Sequence, residues 1–123
     1  MRDLFRAMKV DGDRPQVGDS ARQLGVREPD DVVPDDEGKV HPGGGGMSVT
    51  PDDPWELPPY RRPEEYGGTG KDPVWRIDED QLGSSLNFVP DAVFHGVIEP
   101  AAAVQLSMFR ATLAETQPYW SLA

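Results

Sequence analysis

Cysteine is missing from all 123 residues, which removes disulfides and thiolate metal ligands and frees the fold from any need for an oxidising compartment. Histidine is scarce: with His41 and His95 alone, a structural zinc site lacks ligands, and no metal is expected. No apolar run approaches the length of a membrane span, and Met1-Arg2-Asp3-Leu4-Phe5-Arg6 lacks the apolar core of a signal peptide. The expectation is cytoplasmic action without membrane contact, with signal-peptide-independent secretion if the protein enters a target cell. Positive charge is also sparse: 12 basic against 22 acidic side chains give a net charge of −10. Binding to nucleic acid, which rests on Lys and Arg neutralising phosphates, is therefore not expected. A dianionic cofactor is still compatible with this balance where Arg6, Arg61, Arg62 or Lys71 gather positive potential locally.

Apolar residues make up only 37 % of the chain, and 13 Gly plus 13 Pro occupy about a fifth of it. Evenly diluted, that composition would oppose folding. The apolar residues instead cluster in short runs, and three Trp, three Tyr and four Phe supply large side chains to bury. A single loop-rich domain over residues 1–123 is expected, with Trp75, Phe88 and Trp120 in its core.

Alternating runs predict strands at residues 3–10, 46–50, 74–78, 86–89 and 93–99. The first is closed by the turn chemistry of Asp11-Gly12-Asp13. Ser20 reads as the N-cap of a short helix over Ala21-Arg22-Gln23-Leu24, stopped by Gly25. From Glu28 to Gly46, Asp, Pro and Gly dominate and predict a loop with a short apolar insertion at Val32-Val33. A stiff Pro-rich loop follows from Asp52 to Tyr66, stapled by its aromatics. Leu106, Phe109 and Leu113 at helical spacing predict a C-terminal helix ended by Pro118. This order implies an α+β fold with a mostly antiparallel sheet, few short helices and long loops. Side chains alternate across a strand, so Arg6 shares a face with Leu4 and Met8, Ser48 with Thr50, and His95 with Val97 and Glu99. Such polar handles on three strands can line one cleft.

Familiar site motifs fail on inspection. Gly67-Gly68-Thr69-Gly70-Lys71 suggests a phosphate loop, but Glu65 stands where the earlier glycine belongs and Asp72 where Ser or Thr belongs. The acids around Asp11-Gly12-Asp13 are followed by Pro15 and lack the spaced terminal glutamate of a calcium loop. Ser48, His95 and an Asp could be drawn as a triad, but no nucleophile elbow is present.

The aromatic-Arg-Ala of Leu4-Phe5-Arg6-Ala7, the glycine-rich approach to Met47-Ser48-Val49-Thr50, and His95-Gly96-Val97-Ile98-Glu99-Pro100-Ala101 ahead of a helix and Trp120 carry a resemblance. The pattern is similar to a family of small type VI secretion effector toxins with an ADP-ribosyltransferase-like fold. The resemblance implies a split sheet, NAD as cofactor, and either ADP-ribosyl transfer or NAD hydrolysis. It also implies a cognate immunity protein that plugs the cleft, and an ADP-ribose acceptor of unknown identity. Breaking the nicotinamide–ribose bond passes through an oxocarbenium-like centre, so a nearby carboxylate stabilises the transition state, and Glu99 is the candidate. Arg6 would hold ribose or phosphate, and Ser48 and Thr50 would brace the NAD-binding face. Tyr60 or Trp75 would sandwich the nicotinamide. His95 matches the family pattern better than Glu99 does, which makes it an NAD-binding or acid/base candidate and leaves open which of the two is essential.

Plainer readings stand beside these. Arg6 could be an edge-strand arginine paired with one of many acids, His95 a histidine satisfied by backbone, and Glu99 a solvated strand end. Ser48 and Thr50 suit any strand, and Gly43 to Gly46 suits a flexible connector. The corresponding functional alternative is a non-catalytic acidic interaction module, such as an immunity or antitoxin-like protein, that masks a basic partner. An enzyme should gather Arg6, Ser48, Thr50 and His95 or Glu99 around one concavity beside an aromatic, whereas a binding module should scatter them.

Overall fold

The structure is a computed structural model describing residues 2–123; Met1, which begins both the charged N-terminal stretch and the expected domain span, lies outside the described residues. The chain forms β1 (Asp3–Ala7), β2 (Val10–Asp11), β3 (Arg14–Pro15), β4 (Lys39–Val40), β5 (Met47–Pro51), β6 (Val74–Asp78), β7 (Leu86–Ala92), β8 (His95–Pro100), β9 (Val104–Gln105), the helix α1 (Leu106–Glu115) and β10 (Ser121–Leu122). All registered pairings between these strands are antiparallel, and the fold is α+β as expected. Six strands form one sheet in the order β10-β6-β1-β5-β8-β7, with the ribbons β2-β3 and β4-β9 outside it.

The centre of the sheet is its weakest seam. β1 keeps register with β6 from Asp3↔Asp78 to Ala7↔Val74, but meets β5 only at Leu4↔Pro51 and Phe5↔Thr50. Beyond Phe5 the two halves have no registered pair, so the sheet splits along its middle.

Both faces of β1 are covered, and Leu4 to Ala7 are all buried. Leu4 and Met8 enter the main core with Met47, Val49, Ile98, Trp75 and Trp120, while Phe5 packs on the other side with Leu57 and Val74. Trp75, Phe88 and Trp120 are core residues, as expected. On α1 the buried residues are Phe109 and Leu113, whose spacing puts them on one face.

Several expectations need correction. Ser20 caps only a turn: its Oγ accepts from the Arg22 N–H, while the Gly18 N–H donates to the Leu24 carbonyl and the Leu24 N–H to the Gln16 carbonyl, folding the segment into a closed loop without a helix. Val93-Phe94 is the tip of the β7–β8 hairpin and not strand, although both residues are apolar and Val93 is 79 % exposed. The helix ends at Glu115, before Pro118, which lies in a 3-10 turn over Gln117–Tyr119 that returns the chain as β10 to pair with β6. The glycine run is no free connector. Gly45, at φ +105°, lies against the Asp31 backbone, where any Cβ would collide with the Asp31 carbonyl.

Candidate active site

A cavity of about 150 Å³ opens where β1 and β5 part company. Arg6 and Ala7 come from β1, Ser48, Val49 and Thr50 from β5, and His95 from β8. The roof is the Pro-rich loop, through Leu57, Tyr60 and Arg61, and the loop after β3 closes one side with Arg27 and Asp31. A cavity of this volume holds one aromatic ring.

Arg6 is there because the sheet is split. Strand parity assigns it to the core face with Leu4 and Met8, where a guanidinium could not remain solvated. With no β1 residue registered opposite Ser48, the Arg6 head group takes up the vacant backbone acceptors. Its Nη1 donates to the Ser48 carbonyl at 2.8 Å, while Nε and Nη2 donate to the Gln23 carbonyl at 3.2 and 2.9 Å. The side chain thus bridges β5 and the loop before residue 25, replacing ladder bonds that β1 does not make. The residue is 7 % exposed, and burial pushes its pKa down to about 10, with Asp31 partly offsetting and Arg61 and Arg27 adding to the depression. Arg6 is therefore neither at an edge nor in a carboxylate pair among the described residues. Three of its five N–H groups are engaged with backbone, which leaves two for a ligand.

His95 has a different support. Its Nδ1 lies 2.6 Å from Asp91 Oδ1. An ionised carboxylate only accepts, so Nδ1 carries a proton, and in the neutral imidazole Nε2 is then the acceptor. The plain reading of a backbone-satisfied histidine does not describe this pair. Ser48 and Thr50 lie on one face of β5, and the register Val49↔Gly96 sets Thr50 across from His95. Tyr60 is 66 % exposed at the mouth, with the Arg61 guanidinium 5.2 Å above its ring.

Two candidates lie elsewhere. Glu99 shares the strand face of His95, but four residues of β-strand separate them by about 13 Å, and it does not line the cavity. It is 6 % exposed, and its Oε1 accepts from the Gly43 N–H at 3.1 Å, so the carboxylate latches the glycine run instead of projecting into solvent. Trp75 is 1 % exposed and donates from Nε1 to the Met8 carbonyl, which leaves no ring face for a nicotinamide. Arg62, one of the four cations considered for local positive potential, donates to the Trp55 carbonyl within its own loop.

The sequence reading missed Arg27 and Asp31. Asp31 accepts from the Arg27 backbone N–H at 2.7 Å and from its guanidinium at 3.0 and 3.2 Å, so one carboxylate fixes both the turn and the arginine head. These hydrogen bonds raise the Arg27 pKa above its ordinary value. The local signal was present as Arg27 and Asp31 at a spacing of four, but nothing in an aperiodic loop indicates that it faces β5. Asp31 is the carboxylate that lines the cavity.

The described helices include none long and apolar enough to cross a membrane. A family model described as Tse2 ADP-ribosyltransferase toxin matches residues 2–120. No curated protein matches the chain.

Proposed function

The chain belongs to the Tse2 ADP-ribosyltransferase toxin family, and from that premise we propose that it cleaves NAD in the cavity at the split of its sheet. Membership makes it a toxin with ADP-ribosyltransferase-like function, for which NAD is the implied substrate. The observation that supports the reading best is the convergence of Arg6, Ser48, Thr50 and His95, from three strands, on one ring-sized concavity beside Tyr60. Chance would scatter these residues, as the binding-module alternative requires.

In this reading the nicotinamide and its ribose occupy the cavity, with Tyr60 as the aromatic wall. The two free N–H groups of Arg6 orient ribose or phosphate oxygens. The nicotinamide–ribose C–N bond breaks with its electron pair leaving on nicotinamide, and positive charge develops at the ribose carbon. Asp31, held by Arg27, is the carboxylate positioned to stabilise that charge. The acceptor's lone pair then forms the new bond to that carbon, and its proton passes to His95 Nε2, oriented by Asp91. A protein or small-molecule acceptor gives transfer, and water gives hydrolysis. Delivery by type VI secretion, action in the recipient's cytosol and neutralisation by an immunity protein that plugs the cavity complete the proposal.

Purified protein incubated with NAD should release nicotinamide, and His95→Ala should lower that rate by about 10²–10⁴ with unchanged thermal stability. Growth arrest on expression in a bacterial cytosol should be relieved in parallel. Absence of both NAD binding and nicotinamide release would refute the proposal in favour of the acidic interaction module.

A further inference from the structure

A second depression, of about 250 Å³, adjoins the cavity and shares Ala7, Tyr60 and Arg61 with it. Arg22, Thr69, Lys71 and Asp72 form its remaining polar wall. Two of these charges cancel: Arg22 donates to both oxygens of Asp72 at 2.6 and 2.8 Å. Two others do not. Arg61 makes one hydrogen bond, a 3.3 Å donation to the Ala21 carbonyl, and Lys71 makes no side-chain hydrogen bond or ion pair among the described residues. A chain with net charge −10 thus presents two unmatched cations on one concave surface.

Their placement is built into the loop. Gly70 donates to the Arg62 carbonyl at 2.7 Å and is packed so closely that a Cβ would collide with the backbone of Tyr60 and Arg61. Lys71, the next residue, is therefore carried to the Arg61 side of the depression. Because Arg61 lines both concavities, it stands at their junction.

We infer that this depression is a diphosphate subsite, with Arg61 and Lys71 providing its positive charge, so that a nicotinamide nucleotide lies with its nicotinamide end at His95 and its ADP end along residues 60–71. The inference rests on the NAD reading and adds a ligand polarity to it. In NAD the diphosphate separates the two nucleosides, which suits a site at the junction of two cavities. Arg6 is the competing anchor, but it is nearly buried and spends three of its five N–H groups on backbone carbonyls. Arg61 and Lys71 have their donors largely free, and charge-assisted bonds to phosphate oxygens are the strong kind.

Calorimetric titrations with NAD, ADP and nicotinamide separately, on wild type, Lys71→Ala, Lys71→Arg, Arg61→Ala and Arg6→Lys, test this. Losing one hydrogen bond to a charged group should weaken ADP and NAD binding by about tenfold or more in Lys71→Ala and in Arg61→Ala. Lys71→Arg should restore the affinity, and nicotinamide binding should not change in Lys71→Ala, since Lys71 lines the depression and not the nicotinamide cavity. Lys71 holds no side-chain hydrogen bond or ion pair among the described residues whose loss could unfold the protein, so an unchanged melting temperature is expected. ADP affinity that survives Lys71→Ala and Arg61→Ala but collapses in Arg6→Lys would overturn the inference by reversing the polarity. NAD binding without any ADP binding would also overturn it while leaving the NAD reading intact. Binding of neither NAD nor nicotinamide would remove both.

Discussion

Replacing Arg6 by alanine takes three N–H donors from the carbonyls of Gln23 and Ser48, at the place where β1 no longer pairs with β5. Each buried acceptor left without a partner costs about 1–3 kcal/mol, so Arg6→Ala should lose about 2–4 kcal/mol in urea unfolding. Its loss of activity would then be a folding result as much as a catalytic one. Arg6→Lys is the more informative change. It keeps the charge but replaces a planar fork with a single ammonium, which cannot span both carbonyls as the guanidinium does. A smaller loss, about 1–2 kcal/mol, is expected, together with weaker ligand binding. Glu99 provides the contrast. Glu99→Gln retains an oxygen for the Gly43 N–H, and since the residue does not line the cavity, nicotinamide release should stay within about twofold of wild type. A fall of a hundredfold would return Glu99 to the reacting centre and contradict its role as a latch.

Among the elements, β4 depends on a turn that one carboxylate organises. Asp35 accepts from the backbone N–H groups of Glu37 and Lys39 and lies 2.7 Å from His41 Nε2. The His41 hydrogen bond first, and the Lys39 N–H second, lower its pKa from 3.8 to about 2. A folded-state pKa below the unfolded one means that the contribution is present above the unfolded value and disappears as pH falls through the folded value. The difference in urea midpoint between wild type and Asp35→Ala should therefore shrink as pH falls from about 4 to about 2. A difference unchanged across that window would show that the turn does not depend on the ionised carboxylate. This turn also marks where the sequence could be read and where it could not. β1, β5, β6 and most of β7 and β8 were legible because alternation and turn residues mark them locally. The two-residue strands β4, β9 and β10 were not, since their pairing comes from tertiary contacts and leaves no period to detect. Val93-Phe94 misled for the opposite reason, being apolar at an exposed hairpin tip. In the site, parity assigned Ser48, Thr50 and His95 to common faces, yet it cannot tell which end of β8 meets the cavity, and so Glu99 looked as well placed as His95.

At the scale of the whole molecule, the charge that repels an anion and the charge that binds it act over different distances. The net charge of −10 is spread over the surface, whereas Arg61 and Lys71 meet a bound phosphate at contact range. Screening separates the two. The Debye length is about 30 Å at 0.01 M salt, about 10 Å at 0.1 M and about 3 Å at 1 M. Raising salt from 0.01 to 0.1 M should remove most of the long-range repulsion while leaving contacts of a few ångströms largely unscreened; raising it further should weaken those contacts too. ADP affinity is thus expected to rise to a maximum near 0.1 M and then fall. In Lys71→Ala the same titration should keep the rising limb, which belongs to the whole surface, and flatten the falling one, which belongs to the subsite. A monotonic fall in wild type from the lowest salt would mean that the local cations dominate at every distance and that the acidic surface has no part in ligand access.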